Sequence, residues 1–290
     1  MKFLPVIVAF CLISTSAMAG PKLKPIWKTT PDLKGPESVI YHPGSDSLFV
    51  SNVNGSPDAF DGNGFISQLS VDGKILSLHW LDDLNAPKGL ALNGDYLYVA
   101  DINELVVIDV ANKKIVQRYQ AEGAKFLNDV AIDKRGNVYV SDMMTNRIYR
   151  LAADEFTLWF VDPALESPNG LLVEHESLIV GSWGNMTGDG FATDVPGHLK
   201  KIDLNTLEIS SLGDKTPIGN LDGVEADGMG NYLVTDWMSG RLMLVSPNGS
   251  SETLIEFEQG SADHTVMPEN DLVIVPMMLQ NNVLAFRMIR

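Results

Sequence analysis

The sequence predicts an all-β protein, a six-bladed β-propeller with four-stranded antiparallel blades whose last blade is closed by the N-terminal strand. Three observations lead to this fold class. One hairpin pattern occurs in six copies, a second hairpin follows three of them, and the last copy lacks one strand. Repeating units of about 40–45 residues with four short strands each are typical of propeller blades.

The recurring hairpin is clearest at residues 126–143, where two apolar strands flank a Gly136-Asn137 turn. The second residue of each copy recurs at intervals of 40 to 53 residues, and these six equivalent positions are Glu37, Lys88, Asn128, Asn169, Asp222 and Asp263. Each copy ends in a strongly apolar strand such as Val138-Tyr139-Val140. This regular repetition is the main evidence for a propeller.

A second pair of strands lies between successive copies. The pairs are residues 105–110 with 115–119, 147–151 with 156–161, and 241–245 with 252–257. Gly, Asn, Asp and Pro occupy the turns, and no stretch has a sustained helical period. Each repeat is therefore predicted to be a four-stranded sheet.

The end of the chain predicts how the ring closes. The last repeat supplies strands at 265–267, 271–275 and 282–289 and then ends. A short strand at 24–29 has no blade of its own. We expect that strand to complete the sixth blade, which would leave no free sheet edge at the closure.

Residues 1–19 have the features of a secretory signal peptide. Lys2 precedes an apolar run at 3–13, and the segment ends in Ala17-Met18-Ala19. Residues 20–290 are predicted to form a single propeller domain, exported to the periplasm or secreted. Cys11, the only cysteine, lies within the signal, so disulfides and a cysteine nucleophile are not expected in the mature chain.

The charge and hydropathy of the chain exclude two classes of partner. The formal net charge is −16, which disfavours binding to nucleic acid or to an anionic membrane. No segment of the mature chain is long and apolar enough for membrane insertion. The expected partner is a small-molecule substrate.

The six equivalent positions are the candidates for chemistry, because the first strand of each propeller blade lines the central channel. Asn and Asp often open strands simply because they favour turns. Around one axis, however, two or three carboxylates and two amides would point into one small volume. Oxygen ligands of this kind suit Ca²⁺ better than Mg²⁺ or softer metals. A divalent cation would also offset the repulsion between the carboxylates.

The six-fold hairpin with Glu37, Asn128-Asp129, Asn169-Gly170 and Asp222-Gly223 resembles the senescence-marker-protein/gluconolactonase/luciferin-regenerating-enzyme-like family. It is also similar to the calcium propellers that include paraoxonases and diisopropyl fluorophosphatase. The resemblance covers essentially the whole mature chain. It implies that Glu37, Asn128, Asn169 and Asp222 hold a catalytic Ca²⁺, or another divalent cation. It further implies a possible second metal site at Glu225 and His264.

Lys88 departs from the family pattern. It either pairs with Asp263 or Asp222, or orients an anionic substrate or stabilises an oxyanion. The sequence offers no counterpart of the arginine with which sugar-lactonase members hold hydroxyl groups, so a sugar lactone is not favoured.

The second strand of each repeat is followed by an apolar residue, which predicts an apolar collar around the pocket or a core between blades. The collar residues are Val53, Ile102, Met143, Trp183, Trp237 and Met277. Two long loops, residues 54–64 and 184–197, are expected to overhang the site from opposite sides, with Phe60 and Phe191 contacting substrate. With Lys88, Trp183 and Trp237, these are the predicted substrate contacts, and they favour a lipophilic lactone or ester.

The leading functional hypothesis is a metal-dependent hydrolase of lactones or related esters. A divalent ion would polarise the substrate carbonyl, and Asp222, Asp263 or His264 would deprotonate the attacking water. The chain has no Gly-x-Ser-x-Gly motif for a covalent serine mechanism. The alternatives are a propeller that binds a ligand or protein without catalysis, and a phosphotriester hydrolase with the same metal site.

Overall fold

A computed structural model describes residues 20–289, and within them the chain forms six four-stranded antiparallel sheets arranged as the blades of a propeller. The predicted fold class is confirmed. The signal peptide predicted at residues 1–19 lies outside the described residues. No α-helix occurs among residues 20–289, and no helix there could span a membrane.

The chain enters the sixth blade first and then builds the other five in order. The N-terminal strand is β1 (Lys22–Lys28). Blade 1 contains β2 (Pro36–His42), β3 (Ser47–Asn52), β4 (Gly64–Ser70) and β5 (Ile75–Leu84). Blade 2 contains β6 (Pro87–Asn93), β7 (Tyr96–Asp101), β8 (Glu104–Asp109) and β9 (Lys114–Gln120). Blade 3 contains β10 (Leu127–Ile132), β11 (Val138–Asp142), β12 (Arg147–Ala152) and β13 (Glu155–Val161).

The remaining blades follow the same plan, with one additional hairpin. Blade 4 contains β14 (Pro168–Glu174), β15 (Ser177–Ser182), β18 (Leu199–Asp203) and β19 (Ile209–Ser211), and its hairpin is β16 (Gly184–Met186) with β17 (Thr193–Pro196). Blade 5 contains β20 (Leu221–Ala226), β21 (Tyr232–Asp236), β22 (Arg241–Val245) and β23 (Ser251–Glu256). Blade 6 contains β24 (Thr265–Met267), β25 (Leu272–Met277) and β26 (Asn282–Ile289). Single 3-10 turns occur at Pro43–Ser45, Pro163–Leu165, Pro268–Asn270 and Met278–Gln280.

The ring closes where the sequence predicts. Strand β1 pairs antiparallel with β26 and is the outermost strand of blade 6. The indole of Trp27 donates a hydrogen bond to the Val71 carbonyl at 3.0 Å, which ties this strand to blade 1 as well. The Thr29 amide donates to the Val283 carbonyl at 3.0 Å. Both ends of the chain therefore contribute to one sheet.

The hydrophobic core lies between neighbouring blades, since each sheet buries both of its faces. Between blades 1 and 2, for example, Phe49 and Trp80 pack with Val99 and Leu97 in one buried cluster. Fully burying a side chain of this size contributes roughly 1.5–3 kcal/mol. The inner strands β3, β11 and β25 are buried along their whole length, so the blades hold the central strands rigidly around the axis.

Candidate functional site

The candidate site begins with a backbone irregularity that five blades share. The first strand of each of these blades shifts register immediately after its opening residue, between Pro36 and Val39, Pro87 and Leu90, Leu127 and Val130, Pro168 and Leu171, and Leu221 and Val224. These five bulges contain Glu37, Lys88, Asn128, Asn169 and Asp222. Because a bulge re-aims a side chain away from the regular ladder, the same device directs all five towards the axis.

Hydroxyl groups on the second strands hold the bulges in place. In blade 3, Ser141 Oγ accepts a hydrogen bond from the Asp129 amide at 2.9 Å and donates to the Asn169 carbonyl at 2.8 Å. In blade 5, Thr235 Oγ1 accepts from the Gly223 amide at 2.8 Å and donates to the Ala262 carbonyl at 3.0 Å. Each hydroxyl therefore fixes one bulge and links it to the segment that opens the next blade.

Glycine follows several of the site residues because neighbouring first strands approach closely there. A Cβ atom on Gly170 would lie 1.9 Å from the Asp222 carbonyl oxygen, and one on Gly89 would lie 2.5 Å from the Asp129 Cα. No side chain fits at such distances. The glycines allow the strands to converge near the axis and bring the adjacent polar side chains together.

The converging side chains form the floor of a cavity of about 260 Å³ at one end of the channel. All five bulge residues line it, and its polar lining is Glu37, Lys88, Asn128, Asn169 and Asp222. The rest of the wall is apolar apart from Gly55, and consists of Val53, Pro57, Phe126, Met143, Trp183, Phe191, Trp237, Met278 and Leu279. The cavity therefore combines a charged floor with a lipophilic wall.

Four buried oxygens at this floor have no hydrogen-bond partner among the described residues. They are Glu37 Oε2, Asn128 Oδ1, Asn169 Oδ1 and Asp222 Oδ1. Their side chains are at most 5 % exposed. A buried acceptor without a partner costs about 1–3 kcal/mol, so four in one place require an explanation.

This oxygen set fits a hard divalent cation. Two carboxylate and two amide oxygens, without sulfur or imidazole, are the donors that Ca²⁺ takes. Residues 20–289 contain no cluster of three or more histidine, cysteine or acidic side chains arranged to bind a metal, which is consistent with a set in which amides supply half of the oxygens. These are the same four residues that the family resemblance implies as ligands.

The raised pKa values of the buried carboxyl groups at the floor also favour a bound cation. Burial raises the pKa of Glu37 well above its usual value, and the negative charges of Asp222 and Asp263 raise it further. Burial, with Asp263 next, likewise raises the pKa of Asp222. Asp129 is also buried at the axis, and burial raises its pKa, with Asp263 again contributing. The protein holds several carboxylates where their ionised forms are unfavourable unless a cation is present.

Lys88 has a different environment from the one expected. Its side chain is 2 % exposed, and its Nζ donates to the Ala86 carbonyl at 2.9 Å and lies 4.4 Å from the centre of the Phe126 ring. The expected pairing with Asp222 or Asp263 is wrong, since neither carboxylate lies within ion-pair distance. Burial lowers the pKa of Lys88 to about 8, opposed mainly by the charge of Glu37.

Two of the three candidate bases lie outside the cavity wall. Asp222 lines the cavity, whereas Asp263 and His264 do not. Asp263 accepts a hydrogen bond from Ser38 Oγ at 2.5 Å, and burial raises its pKa to about 7. Burial lowers the pKa of His264 to about 3, and neither ring nitrogen has a partner among the described residues.

The two residues proposed for a second metal site, Glu225 and His264, are not joined to each other by an ion pair or a hydrogen bond. Glu225 is partly exposed as a whole residue, but its carboxyl group is buried, and this burial, followed by the charge of Asp263, raises its pKa to about 8. Within the described residues, Glu225 and His264 share no ion pair or hydrogen bond. The unpartnered imidazole remains the feature that suggests a ligand here.

The two long loops differ in how they meet the cavity. Phe191, from the hairpin of β16 and β17, lines the cavity and contacts Trp183, whose indole donates to the Phe191 carbonyl at 2.9 Å. Trp237 packs beside Trp183, with ring centres 6.1 Å apart. Phe60 is 64 % exposed and does not line the cavity, so the structure does not bring it to the site as Phe191 is brought, and its substrate contact stays a prediction. Gly55 and Pro57 are the residues of that loop that line the cavity.

The apolar collar is also only partly as expected. Val53, Met143, Trp183 and Trp237 line the cavity, whereas Ile102 and Met277 are buried in clusters between blades. Met278 and Leu279 take their place on the wall. No periodic pattern marks these two residues, because they belong to a single 3-10 turn after β25. Asp129 and Ser38 were also missed, although each directly follows a predicted site residue in its strand.

Comparisons with known proteins agree with this architecture. A family described as the LVIVD repeat matches residues 87–114. The diisopropyl-fluorophosphatase of Loligo vulgaris is 24 % identical over 307 aligned residues, with 93 % of this chain and 94 % of that protein covered. Among solved structures, a gluconolactonase from Xanthomonas campestris superposes with a TM-score of 0.68 at 13 % identity, covering 94 % of this chain and 96 % of the other. A virginiamycin B lyase from Staphylococcus aureus superposes with a TM-score of 0.61 at 13 % identity, covering 93 % and 100 %.

The fold and the site together define a six-bladed propeller whose axial cavity has a floor of converging oxygens. Within that class, the resemblance inferred from the sequence is confirmed. The chain is similar in fold to a gluconolactonase and in sequence to a diisopropyl-fluorophosphatase, which are both proteins that the resemblance named.

Proposed function

We propose that this protein is a hydrolase of lactones or related esters that uses a divalent cation, most suitably Ca²⁺, at the floor of the axial cavity. The observation that carries the proposal is the set of four buried, unpartnered oxygens on Glu37, Asn128, Asn169 and Asp222. The likeness to proteins named gluconolactonase and diisopropyl-fluorophosphatase supports an enzyme of the hydrolase class.

The side chains divide the work of the reaction. The cation, when bound, would act as a Lewis acid towards the substrate carbonyl. Glu37 and Asp222 supply the charge that holds it, and the two asparagine amides fix its position without adding charge. Asp222 is the base best placed to take the proton of an attacking water, because it lines the cavity and neither Asp263 nor His264 does. General-base help of this kind contributes typically ~10²–10⁴-fold.

The wall of the cavity supports a lipophilic substrate. Trp183, Trp237 and Phe191 form a contiguous aromatic cluster, and Phe126 also packs edge-on against Phe191. Among the described residues that line the cavity there is no arginine, serine or threonine to hold sugar hydroxyl groups. We therefore propose an aliphatic or aromatic lactone or ester rather than a sugar lactone.

Two further parts of the proposal are carried from the sequence. Glu225 and His264 would contribute to a second, structural ion, to which the unpartnered imidazole nitrogens of His264 give some support. The segment of residues 1–19 would direct the chain to the periplasm or out of the cell and be removed, which N-terminal sequencing of the secreted protein would test.

Hydrolysis of phosphotriesters is the second candidate, because one sequence relative is named diisopropyl-fluorophosphatase. A phosphoryl oxygen can occupy the position of the carbonyl oxygen with the same side chains around it. The remaining alternative, a propeller that only binds a ligand or a protein, requires no ion at the floor. It does not account for the four unpartnered oxygens.

The deciding experiment assays the purified chain on aliphatic lactones, sugar lactones, aryl esters and phosphotriesters, with calcium and after chelation. We expect activity on lipophilic lactones or esters that chelation abolishes and calcium restores. Asp222→Asn should abolish turnover, whereas Glu208→Gln should not, because Glu208 is an exposed carboxylate on the outer edge of blade 4. Full activity after chelation, or wild-type turnover by Asp222→Asn, would refute the metal site. Calcium binding without any turnover would favour the binding alternative.

A further inference from the structure

Lys88 is a buried cation that the stability of the fold does not explain. Its ammonium group has three N–H donors, and one of them binds the Ala86 carbonyl. No carboxylate of residues 20–289 lies within ion-pair distance of it. Lys200, another buried lysine, instead binds both the Ala164 carbonyl and the carboxylate of Glu166. The Phe126 ring, 4.4 Å from Nζ, offsets at most about 2 kcal/mol of the several kcal/mol that a buried charge without a carboxylate costs. The donors of Lys88 that make no hydrogen bond therefore suit a partner that enters the cavity.

The cavity offers no other group that can give up a proton. Of the five polar side chains described on its wall, two are asparagine amides and two are the carboxylates of Glu37 and Asp222, which are ionised when they hold a cation. The indole N–H of Trp183 is committed to the Phe191 carbonyl. No histidine, tyrosine or cysteine is among the described lining residues. Lys88 is therefore the one lining side chain that is both acidic enough and free to protonate a substrate atom.

The position of Lys88 in the ring suits that task. Blades 2 and 5 face each other across a six-fold axis, so the ammonium group of Lys88 lies on the side of the cavity opposite Asp222. A base on one side of a scissile bond and an acid on the other is the arrangement that ester cleavage needs. Stabilisation of the carbonyl oxygen is already assigned to the cation site, whereas nothing else on the wall serves the oxygen that leaves.

We propose that Lys88 is a catalytic acid that protonates the leaving oxygen of the lactone or ester, an inference that rests on the proposed hydrolase function. Water adds to the acyl carbon, and its proton passes to the base. The bond from the acyl carbon to the leaving oxygen then breaks, its electron pair stays on that oxygen, and the Lys88 ammonium supplies the proton. The products are an alcohol and a carboxylic acid, which releases its proton to solvent and becomes a carboxylate. The base then gives its proton to solvent and the neutral amine regains one, which restores both groups.

This role specifies the class of substrate that depends on Lys88. Alkoxides are strongly basic and leave slowly unless they are protonated, whereas nitrophenolates leave readily without help. Lys88 should therefore matter for aliphatic lactones and alkyl esters and hardly at all for nitrophenyl esters. The pKa of about 8, lowered by burial, makes this lysine a better acid than an exposed one.

The test compares leaving groups in the wild type and in Lys88→Met, which keeps the length of the side chain and suits the apolar wall. We expect kcat/KM for aliphatic lactones to fall ~10²–10⁴-fold, the usual range for general acid catalysis, while 4-nitrophenyl esters with the same acyl group change less than about threefold. Met278→Leu alters the same wall without touching a proton donor. It should affect both substrates by the same factor. Calcium titration of Lys88→Met should show binding at least as tight as in the wild type, which checks that the site is folded.

Lys88→Arg separates proton donation from charge. Arginine keeps the positive charge but does not lose its proton at ordinary pH. We expect it to leave nitrophenyl ester hydrolysis largely intact and to lose aliphatic lactone hydrolysis as Lys88→Met does. Restored turnover of aliphatic lactones in Lys88→Arg would overturn the proposal, since charge alone would then suffice.

The pH profile gives an independent readout. The charged groups that face Lys88 are Glu37 in blade 1, Asp101 at the end of β7 and Asp58 in the first long loop. In the wild type, kcat/KM for an aliphatic lactone should fall above a midpoint near pH 8, and no such fall should appear for the nitrophenyl ester. An equal loss on both substrates in Lys88→Met would overturn the role of Lys88 and leave the hydrolase proposal standing. A wild type without activity on any ester, lactone or phosphotriester would overturn both.

Discussion

Replacing Glu37 with glutamine should have opposite effects on the metal-free and the calcium-bound protein. In the metal-free protein, the buried carboxylate of Glu37 lies in the negative field of Asp222 and Asp263, which raises its pKa along with burial. The neutral amide of glutamine has nearly the same shape and removes this repulsion. At pH 8 the carboxyl group of Glu37 is ionised in the unfolded chain, whereas the folded site disfavours the ionised form, so burying Glu37 costs stability that burying glutamine does not. The metal-free variant should therefore unfold at a higher temperature than the metal-free wild type.

The calcium-bound state should change in the other direction. A ligand present at a hundred times its Kd stabilises the fold by about 2.7 kcal/mol, which for a chain of this length corresponds to roughly 5 °C in Tm. Glu37 supplies one of the two carboxylates of the oxygen set. Removing one partner of a buried charge interaction costs about 3–5 kcal/mol, which weakens calcium binding a hundredfold or more. At the same calcium concentration the Tm increase of the variant should then be below about 1 °C.

Thermal unfolding of the wild type, Glu37→Gln and Glu208→Gln in chelator and in calcium measures both effects. Glu208 is an exposed carboxylate far from the channel, so its variant should follow the wild type in both conditions. A calcium-induced Tm increase of equal size in Glu37→Gln and the wild type would refute the assignment of Glu37. No calcium effect on the wild type would refute the ion site as a whole.

Three further predictions follow from the packing and the charges. Stability of the metal-free protein should fall by on the order of 4 kcal/mol as the pH rises from about 4 to about 7. The reason is that burial raises the pKa of Asp263 to about 7 from an unfolded value of 3.8, so the folded state binds the proton more tightly. Calcium should reduce this loss, and a metal-free Tm that rises over the same pH range would contradict the prediction. Trp27→Ala should lower the free energy of unfolding by about 3 kcal/mol, because it removes the indole that joins β1 to blade 1. Ile26→Ala should lower it by less than about 1 kcal/mol, because Ile26 is 43 % exposed. Equal costs of the two substitutions in denaturant titrations would argue against the closing strand as a stabilising element. Phe191→Ala should raise the KM for a lipophilic lactone several-fold, because Phe191 lines the cavity, whereas Phe60→Ala should leave this KM unchanged. The reverse result would mean that the first long loop covers the substrate and that the fourth-blade hairpin does not.

Sequence reasoning located the floor of the site because the repeat makes its positions equivalent. Asn128 alone is a polar residue at the start of a strand. Its equivalence to Glu37 and Asp222 places all three at the same height in the ring, and the shared bulges turn that equivalence into convergence. The closing strand β1 could be predicted for a related reason, since a repeat that lacks one strand needs a partner from elsewhere in the chain.

The wall of the cavity could not be predicted in the same way, because loops do not obey the repeat. Phe60 and Phe191 are both aromatic residues near the middle of long loops. Only the second is held against the cavity, since β16 and β17 form a hairpin that presents it to Trp183. Leu279 reaches the wall from a 3-10 turn that has no equivalent at this point in the other blades. Such contacts depend on loop conformation, which no periodic pattern encodes.

The contrast between a repeated backbone and varied side chains also explains how the charge of the floor is set. One bulge geometry presents Glu37, Lys88, Asn128, Asn169 and Asp222 to one cavity. With the carboxylates ionised and Lys88 protonated, these side chains carry a net charge of −1, and a divalent cation changes it to +1. A positive floor attracts the oxygen atoms of a neutral ester, and the apolar wall above it accommodates the hydrocarbon part of the same molecule. Replacing Lys88 with a neutral residue would make the loaded floor neutral. A bound divalent cation would still polarise the ester oxygen in that variant, so a loss confined to alkyl leaving groups would report proton donation by Lys88 and not the net charge of the floor.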